Sequence, residues 1–234
     1  MKMFNFHTHH VDEEPCLLNV DVLQQRESFP SHVALSVGLH PWDVFADWQE
    51  TFSLVRSAAL DERVWAIGEC GLDKVRGGAI SLQMEAFRAQ ALLAEEVHKP
   101  LVLHCVKAYD ELLEVRRDVV LLCKQRSCVP QPWVLHGFRG RPEQAKQMMA
   151  KGFLFSFGHH YHVETLQFVF GCSVGTECLG DSEVSKDSVF SPFFLETDDS
   201  HLSVRQIYDQ AARHLGVDVA RLERLCDPRQ TIFR

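Results

Sequence analysis

The sequence offers almost nothing from which to build a membrane anchor, a disulfide frame or a zinc ribbon. No apolar run approaches the roughly 20 residues needed to cross a bilayer. The opening stretch from Met1 to Phe6 leads into His7 with no apolar leader and no small-residue cleavage site, so a cytoplasmic location is expected. The eight cysteines are scattered and form no C-x-x-C pair, which excludes the common metal ribbon and reads as a set of reduced thiols. Repeats, low-complexity tracts and linkers are also missing. The formal net charge of −8 speaks against a broad grip on duplex nucleic acid, a mode that depends on many Lys and Arg contacts to phosphate. It leaves room for a small basic site.

What the sequence does have is regular alternation. Short β-rich runs near Met3 to His7, Cys16 to Val20, Val33 to Gly38, Trp65 to Glu69, Pro100 to His104, Trp133 to His136, Phe153 to Phe157 and Phe193 to Thr197 read as eight strands. Between them, Gln83 to His98, Tyr109 to Gln125, Pro142 to Lys151 and Val204 to Leu215 place apolar residues at three- and four-residue intervals, as helices facing a sheet do. Alternating β and α units in a chain of 234 residues predict one α/β domain over residues 1–234, a TIM-type (β/α)8 barrel. Thr8 to Pro15 is too short for a crossover helix, so the first crossover is expected to be a loop. Gly171 to Ser191, rich in Gly, Ser and Asp, reads as a long mobile loop.

Such a barrel gathers its chemistry where strands end and βα loops begin. His7 and His9 follow the first strand, His40 the third and Asp198 the eighth; Glu69, His104 and His136 close the fourth, fifth and sixth. Singly, each has a bland reading: an H-x-H pair arises by chance, a strand-end His is a hydrogen-bonded core residue, and Glu69 or Asp198 caps a helix or pairs with a cation. Four imidazoles and two carboxylates at one mouth outweigh those readings and point to a centre for one or two divalent cations. Mixed N and O donors suit Zn, Mn, Fe or Ni, whereas oxygen ligands alone would point more firmly to Mg or Ca; Mg remains open.

Six segments then carry a resemblance. His-Thr-His at His7 to His9, Gly-Leu-His-Pro at Gly38 to Pro41, Ala-Ile-Gly-Glu-Cys-Gly-Leu-Asp at Ala66 to Asp73, Leu-Val-Leu-His at Leu101 to His104, Leu-His-Gly-Phe at Leu135 to Phe138 and Leu-Glu-Thr-Asp at Leu195 to Asp198 resemble, in order and spacing, the TatD family of metal-dependent hydrolases. The resemblance implies phosphodiester hydrolysis, typically of DNA, with His7, His9 and Asp198 on one cation, His104 and His136 on the other, and Glu69 bridging. A carboxylate also bridges more readily than an imidazole, and paired cations roughly 3.5 to 4 Å apart clamp attacking and leaving oxygens. In this picture Glu69 and Asp198 are catalytic, with Asp198 taking the proton of the attacking water and Asp199 as its rival.

The chain departs from the family pattern two residues after His104, where the usual Arg is Val106, followed by Lys107. Lys offers a point charge where Arg offers a planar fork. Asp199 and Ser200 replace the usual continuation after the motif Asp. His40, Lys107 and Arg139 are the expected substrate contacts, with Arg141 beside them; the alternative for the two arginines is a charged helix start before Pro142. His159, His160 and His162 read either as mouth residues or as a solvated loop cluster, and His201 as a support for Asp198. The leading reading is a metal-dependent phosphodiesterase or deoxyribonuclease acting on ends or single strands of nucleic acid, or on a small phosphodiester, with no membrane contact and no obligate protein partner. Its competitors are an amidohydrolase or phosphotriesterase type acting on an ester, lactone or amide, a polymerase-and-histidinol-phosphatase type phosphoesterase, and a barrel that binds metal without catalysis. A carboxylated Lys is usual on strand four of the amidohydrolase type, and Glu69 there favours the leading reading.

Overall fold

The computed structural model describes residues 2–11, 15–22, 33–173 and 191–233. Among them, eight strands run in sequence order through one sheet: β1 (Asn5–Thr8), β2 (Cys16–Val20), β3 (Ala34–Val37), β4 (Val64–Asp73), β5 (Leu101–Val106), β6 (Trp133–Leu135), β7 (Phe153–Phe157) and β8 (Phe193–Leu195). The helices are α1 (Trp48–Ala58), α2 (Ile80–Val97), α3 (Tyr109–Gln125), α4 (Pro142–Met149), α5 (Val163–Ser173), α6 (Val204–Leu215) and α7 (Val219–Leu225). The fold is the expected (β/α)8 arrangement of parallel strands. No helix separates β1 from β2 among the described residues, as the short Thr8 to Pro15 connection predicts. No described helix is long and apolar enough to cross a membrane.

The chain divides into two compact units. One is the continuous segment Leu17–Leu135. Its ladder pairs Leu18 with Leu35, Ser36 with Ala66, Gly71 with His104 and Leu103 with Leu135, all in parallel register. The strands are apolar on nearly every residue because helices cover them, the usual signature of a parallel sheet. In α3, Leu112, Val115, Val119 and Cys123 recur at three- and four-residue steps and are buried, while Asp110 and Glu111 lie in the first turn, where the helix dipole favours negative charge.

β4 is longer than the sequence suggests. It was expected to stop at Glu69, but it continues four residues to Asp73, so Glu69 lies inside the strand rather than at its end. The cause is a bulge: Ile67 pairs with Leu101 and Cys70 with Leu103, so three steps of β4 match two of β5. Gly68 lies within that irregularity. A Cβ there would strike the Val102 carbonyl, so only glycine lets the two strands approach this closely.

The second unit joins Met1–Cys16 to His136–Arg234. Here the first and last strands meet. Thr8 forms a parallel bridge with Asp198, the Asp198 N–H donates to the His7 carbonyl at 2.9 Å, and the His9 N–H donates to the Asp198 carbonyl at 3.2 Å. Beneath this seam, Phe6 stacks on Phe194 with ring centroids 4.4 Å apart, and Phe155 and Phe157 are fully buried. The boundaries of α6 follow from its ends. Ser203 and Gln206 form a reciprocal capping box, and Gly216 ends the helix at φ 67°.

α1, α5 and α7 were not anticipated. The signal existed in α1, where Trp48, Val55 and Ala58 share a buried face. The loop expected over Gly171 to Ser191 begins inside α5, which runs to Ser173; residues 174–190 lie outside the described residues.

Candidate metal centre

Each unit carries its own group of imidazoles and carboxylates. In the discontinuous unit, His7, fully buried at the end of β1, and the more exposed His9 face Asp198. Their Nε2 atoms lie 3.6 and 3.5 Å from the same oxygen, Asp198 Oδ1. These separations exceed a good hydrogen bond. They match the spacing of donors around a shared ion, since ligands at about 2.1 Å in tetrahedral array sit about 3.4 Å apart. Asp198 has φ 55°, a left-handed conformation that costs most residues about 1 kcal/mol but that Asp tolerates better. The seam hydrogen bonds to His7 and His9 hold it there.

His136 joins this group through its ring, 4.4 Å from that of His7. Its Nδ1 faces Glu196 Oε1 at 3.6 Å, and that oxygen accepts the Gly137 N–H at 2.6 Å. Glu196 is fully buried, and its Oε2 has no hydrogen-bond partner among the described residues. A carboxylate behind a ligating histidine fixes which nitrogen keeps its proton. A small cavity beside Asp198 is lined by Arg139, His159, His160, Glu196 and Asp199. Burial, then His160 and Arg139, hold His159 below the usual imidazole value against the opposing pull of Asp199 and Asp198. Arg141 instead occupies the N-cap of α4. His162 starts α5, accepting the N–H groups of Thr165 and Leu166 on its carbonyl, and His201 lines a separate cavity with Thr8 and His10.

In the continuous unit, Glu69, His40 and His104 converge more tightly. His40 Nδ1 accepts the Trp42 backbone N–H at 3.2 Å, which leaves the proton on Nε2, 3.2 Å from Glu69 Oε1. That tautomer makes His40 a hydrogen-bond donor to Glu69 rather than a cation ligand. His104 Nδ1 lies 2.8 Å from the same Glu69 oxygen, and its Nε2 faces Asp73 Oδ2 at 3.3 Å. Each ring nitrogen of His104 thus faces a carboxylate, and Asp73 orients the ring from its Nε2 side.

Asp73 is itself firmly held. It accepts the Trp42 indole N–H at 2.7 Å and the amides of Val75 and Arg76 at 2.7 and 3.0 Å. Burial pulls its pKa upward, but the hydrogen bonds from Trp42, Val75, Arg76 and His104 outweigh that and set it below the usual carboxylate value. Lys107 follows β5 as an exposed residue at φ 55°.

Asp73, Trp42 and Glu196 were absent from the sequence-based set of site residues. Two of them sit inside the quoted motifs: Asp73 ends the segment that contains Glu69, and Glu196 precedes Asp198 by two residues. Trp42 directly follows His40-Pro41 and carried no signal beyond that adjacency.

Comparison with known proteins agrees with the chemistry of these groups. A family model for TatD-related DNases matches residues 8–168. The metal-dependent hydrolase YabD of Bacillus subtilis (strain 168), described as uncharacterized, is 32% identical over 124 residues, covering 53% of this chain and 46% of YabD. The 3'-5' ssDNA/RNA exonuclease TatD of Pantoea sp. (strain At-9b) is 34% identical over 134 residues, covering 54% of this chain and 46% of that protein. The chain spans about half the length of the curated relatives it matches. Among solved structures, YJJV, a TatD homologue from Escherichia coli k12, is similar with a TM-score of 0.68 over 99% of this chain and 97% of that one, at 17% identity, a likeness of fold. With well over half of its residues inside the family model, the chain belongs to the TatD-related DNase family.

Proposed function

We propose that this protein is a metal-dependent phosphodiesterase that hydrolyses nucleic acid at ends or in single strands. The observation that carries the reading is the convergence of His7 Nε2 and His9 Nε2 on Asp198 Oδ1 at 3.6 and 3.5 Å, spaced for a shared ion. Family membership supports it, as does the similarity to proteins named 3'-5' ssDNA/RNA exonucleases.

His7, His9 and Asp198 would hold one divalent cation, Mg, Mn or Zn, and Glu69 and His104 would serve a second. The bridging role of Glu69 and the second-cation role of His136 belong to the same proposal. When bound, such ions supply Lewis acidity to a phosphoryl oxygen and acidify a water. Asp198, partly exposed and held by the seam between the first and last strands, takes the proton of the attacking water. Glu196 and Asp73 orient His136 and His104 from behind. Arg139 and Lys107, exposed and positively charged, contact substrate phosphate, and His40 steadies Glu69.

The test is elemental analysis of reconstituted protein together with a metal-dependent screen against single-stranded DNA, duplex DNA, RNA, a simple phosphodiester and representative esters, lactones and amides. One to two divalent ions per chain and hydrolysis of single strands are expected. A His7→Ala, His9→Ala double variant should lose an ion, and Glu69→Ala should keep its circular dichroism while losing most turnover. Unchanged stoichiometry in the first variant, or near-normal turnover in the second under saturating metal, would sink the assignment. Turnover confined to esters or amides would favour the small-molecule hydrolase.

A further inference from the structure

Beside the Glu69 and His104 pair stands a cation that neither the motifs nor the proposed chemistry uses. Arg76, exposed in the segment between β4 and α2, lays its guanidinium over the half-buried Trp42 ring, 3.6 Å from the ring centroid. The same indole packs against His40 and His104, with centroids 4.6 and 5.6 Å apart. Arg76 is therefore one aromatic ring away from the donor group.

Two further observations make this an organised site rather than a stray surface charge. The Arg76 guanidinium has no hydrogen bond or ion pair among the described residues, whereas nearby Lys74 is committed to Glu111 at 2.7 Å. The segment that carries Arg76 is also pinned. Its amide donates to Asp73, its carbonyl accepts from Gln83, and at Gly78 a Cβ would press within 2.5 Å of the Val44 carbonyl. A guanidinium stacked on an indole keeps its in-plane N–H donors free and its rotamers restricted, so little entropy is lost when it grips a phosphate.

The position has a sequence counterpart. Asp73 pairs with Val106 across the β4 and β5 ladder, and the Lys74 N–H donates to the Val106 carbonyl at 3.0 Å. Arg76 thus emerges three residues beyond the partner of Val106, the position where the resemblance expects an Arg and this chain has none.

We propose that Arg76, stacked on Trp42, is a phosphate-binding residue for single-stranded nucleic acid. It grips a phosphate flanking the one that a cation at the Glu69 and His104 group would hold. This rests on the phosphodiesterase reading for its substrate, but its binding step needs no cation. It gives the protein a reason to prefer a strand over an isolated phosphodiester.

The test is equilibrium binding of a fluorescein-labelled single-stranded oligothymidylate to the full chain in EDTA, followed by anisotropy at several salt concentrations. Wild type should bind. Arg76→Ala should weaken binding about tenfold and flatten the log K against log salt slope by about one phosphate contact. Arg76→Lys should restore the slope but not the full affinity, because the fork is lost. Equal affinity and slope in wild type and Arg76→Ala would overturn the proposal, as would no binding by wild type at low salt. Arg76-dependent binding without metal-dependent hydrolysis would uphold the site and retire the phosphodiesterase reading. Hydrolysis with no Arg76 effect on binding would do the reverse.

Discussion

The two donor groups use the same residue types but are built on opposite principles. Around Asp198 the imidazole nitrogens stand 3.5 and 3.6 Å from the carboxylate, too far to satisfy it and well spaced to share an ion with it. Around Glu69 the contacts shorten to 2.8 and 3.2 Å, and Asp73 draws in the far side of His104. The first group is preorganised for a guest. The second is satisfied by its own hydrogen bonds, and a cation entering it must displace the His104 contact to Glu69. Burial does not explain the difference, because His7 is fully buried while His104 is partly accessible. The backbone does: the first group hangs on two strands joined at a seam, the second on a bulged strand braced by Trp42.

The largest effect should come from the preorganised group. Asp198→Asn should lower turnover about a thousandfold, within the range for losing a general base, while preserving the fold. Asp199→Asn, one residue outside the seam, should be mild. Turnover and circular dichroism of the two variants decide between them, and the opposite ranking would move the proton acceptor to Asp199.

A smaller effect is expected behind the self-satisfied group. Asp73→Asn keeps the shape but removes the charge facing His104 Nε2, so cation affinity there should fall roughly 10- to 100-fold. Titration calorimetry should show the loss in one binding phase alone, leaving the His7 and Asp198 phase intact. If both phases weaken equally, the distinction between the groups is wrong.

The smallest expected effect has the opposite sign for binding. His40→Ala removes the donor that occupies Glu69 Oε1, so the metal-free protein should lose roughly 1 to 3 kcal/mol of stability in denaturant titration. Cation affinity at Glu69 should rise a few-fold, since the ion no longer competes with that bond. A drop in affinity would instead mark His40 as a ligand.

Much of this was legible in the sequence. The limits of β2, β7, α3 and α6 follow from period and caps, because apolar spacing, Ser203 and Gly216 are local signals. The site residues could be named because they sit in or just beyond strands within ordered motifs, although Glu69 and His104 prove to be interior to theirs. The end of β4 was missed because a bulge is a relation between two strands, invisible in either alone. Asp73 and Glu196 were missed because a carboxylate behind a histidine looks in sequence like any acidic residue near a motif. Trp42 and Arg76 were missed for a related reason: they are 34 positions apart, and only the close packing of the 3-10 turn Pro41–Asp43 against the segment after β4 makes them a pair.

The seam between β1 and β8 also sets an order of assembly. The group built on Glu69 belongs to an unbroken segment and is complete once the chain has passed His104. The group built on Asp198 needs the two arms of a very long loop. Nearby, Asn5 donates to Thr197 at 2.8 Å across 192 positions. On a chain emerging from its N-terminus, His7 and His9 are made first and wait for almost the entire remainder before their carboxylate exists. Closing a loop of that length costs chain entropy, which the seam hydrogen bonds and the Phe6 and Phe194 stack help to offset. A cation gripping both arms would act as a clasp, so the first group to be started is the last to be finished, and the step that finishes it also fastens the fold.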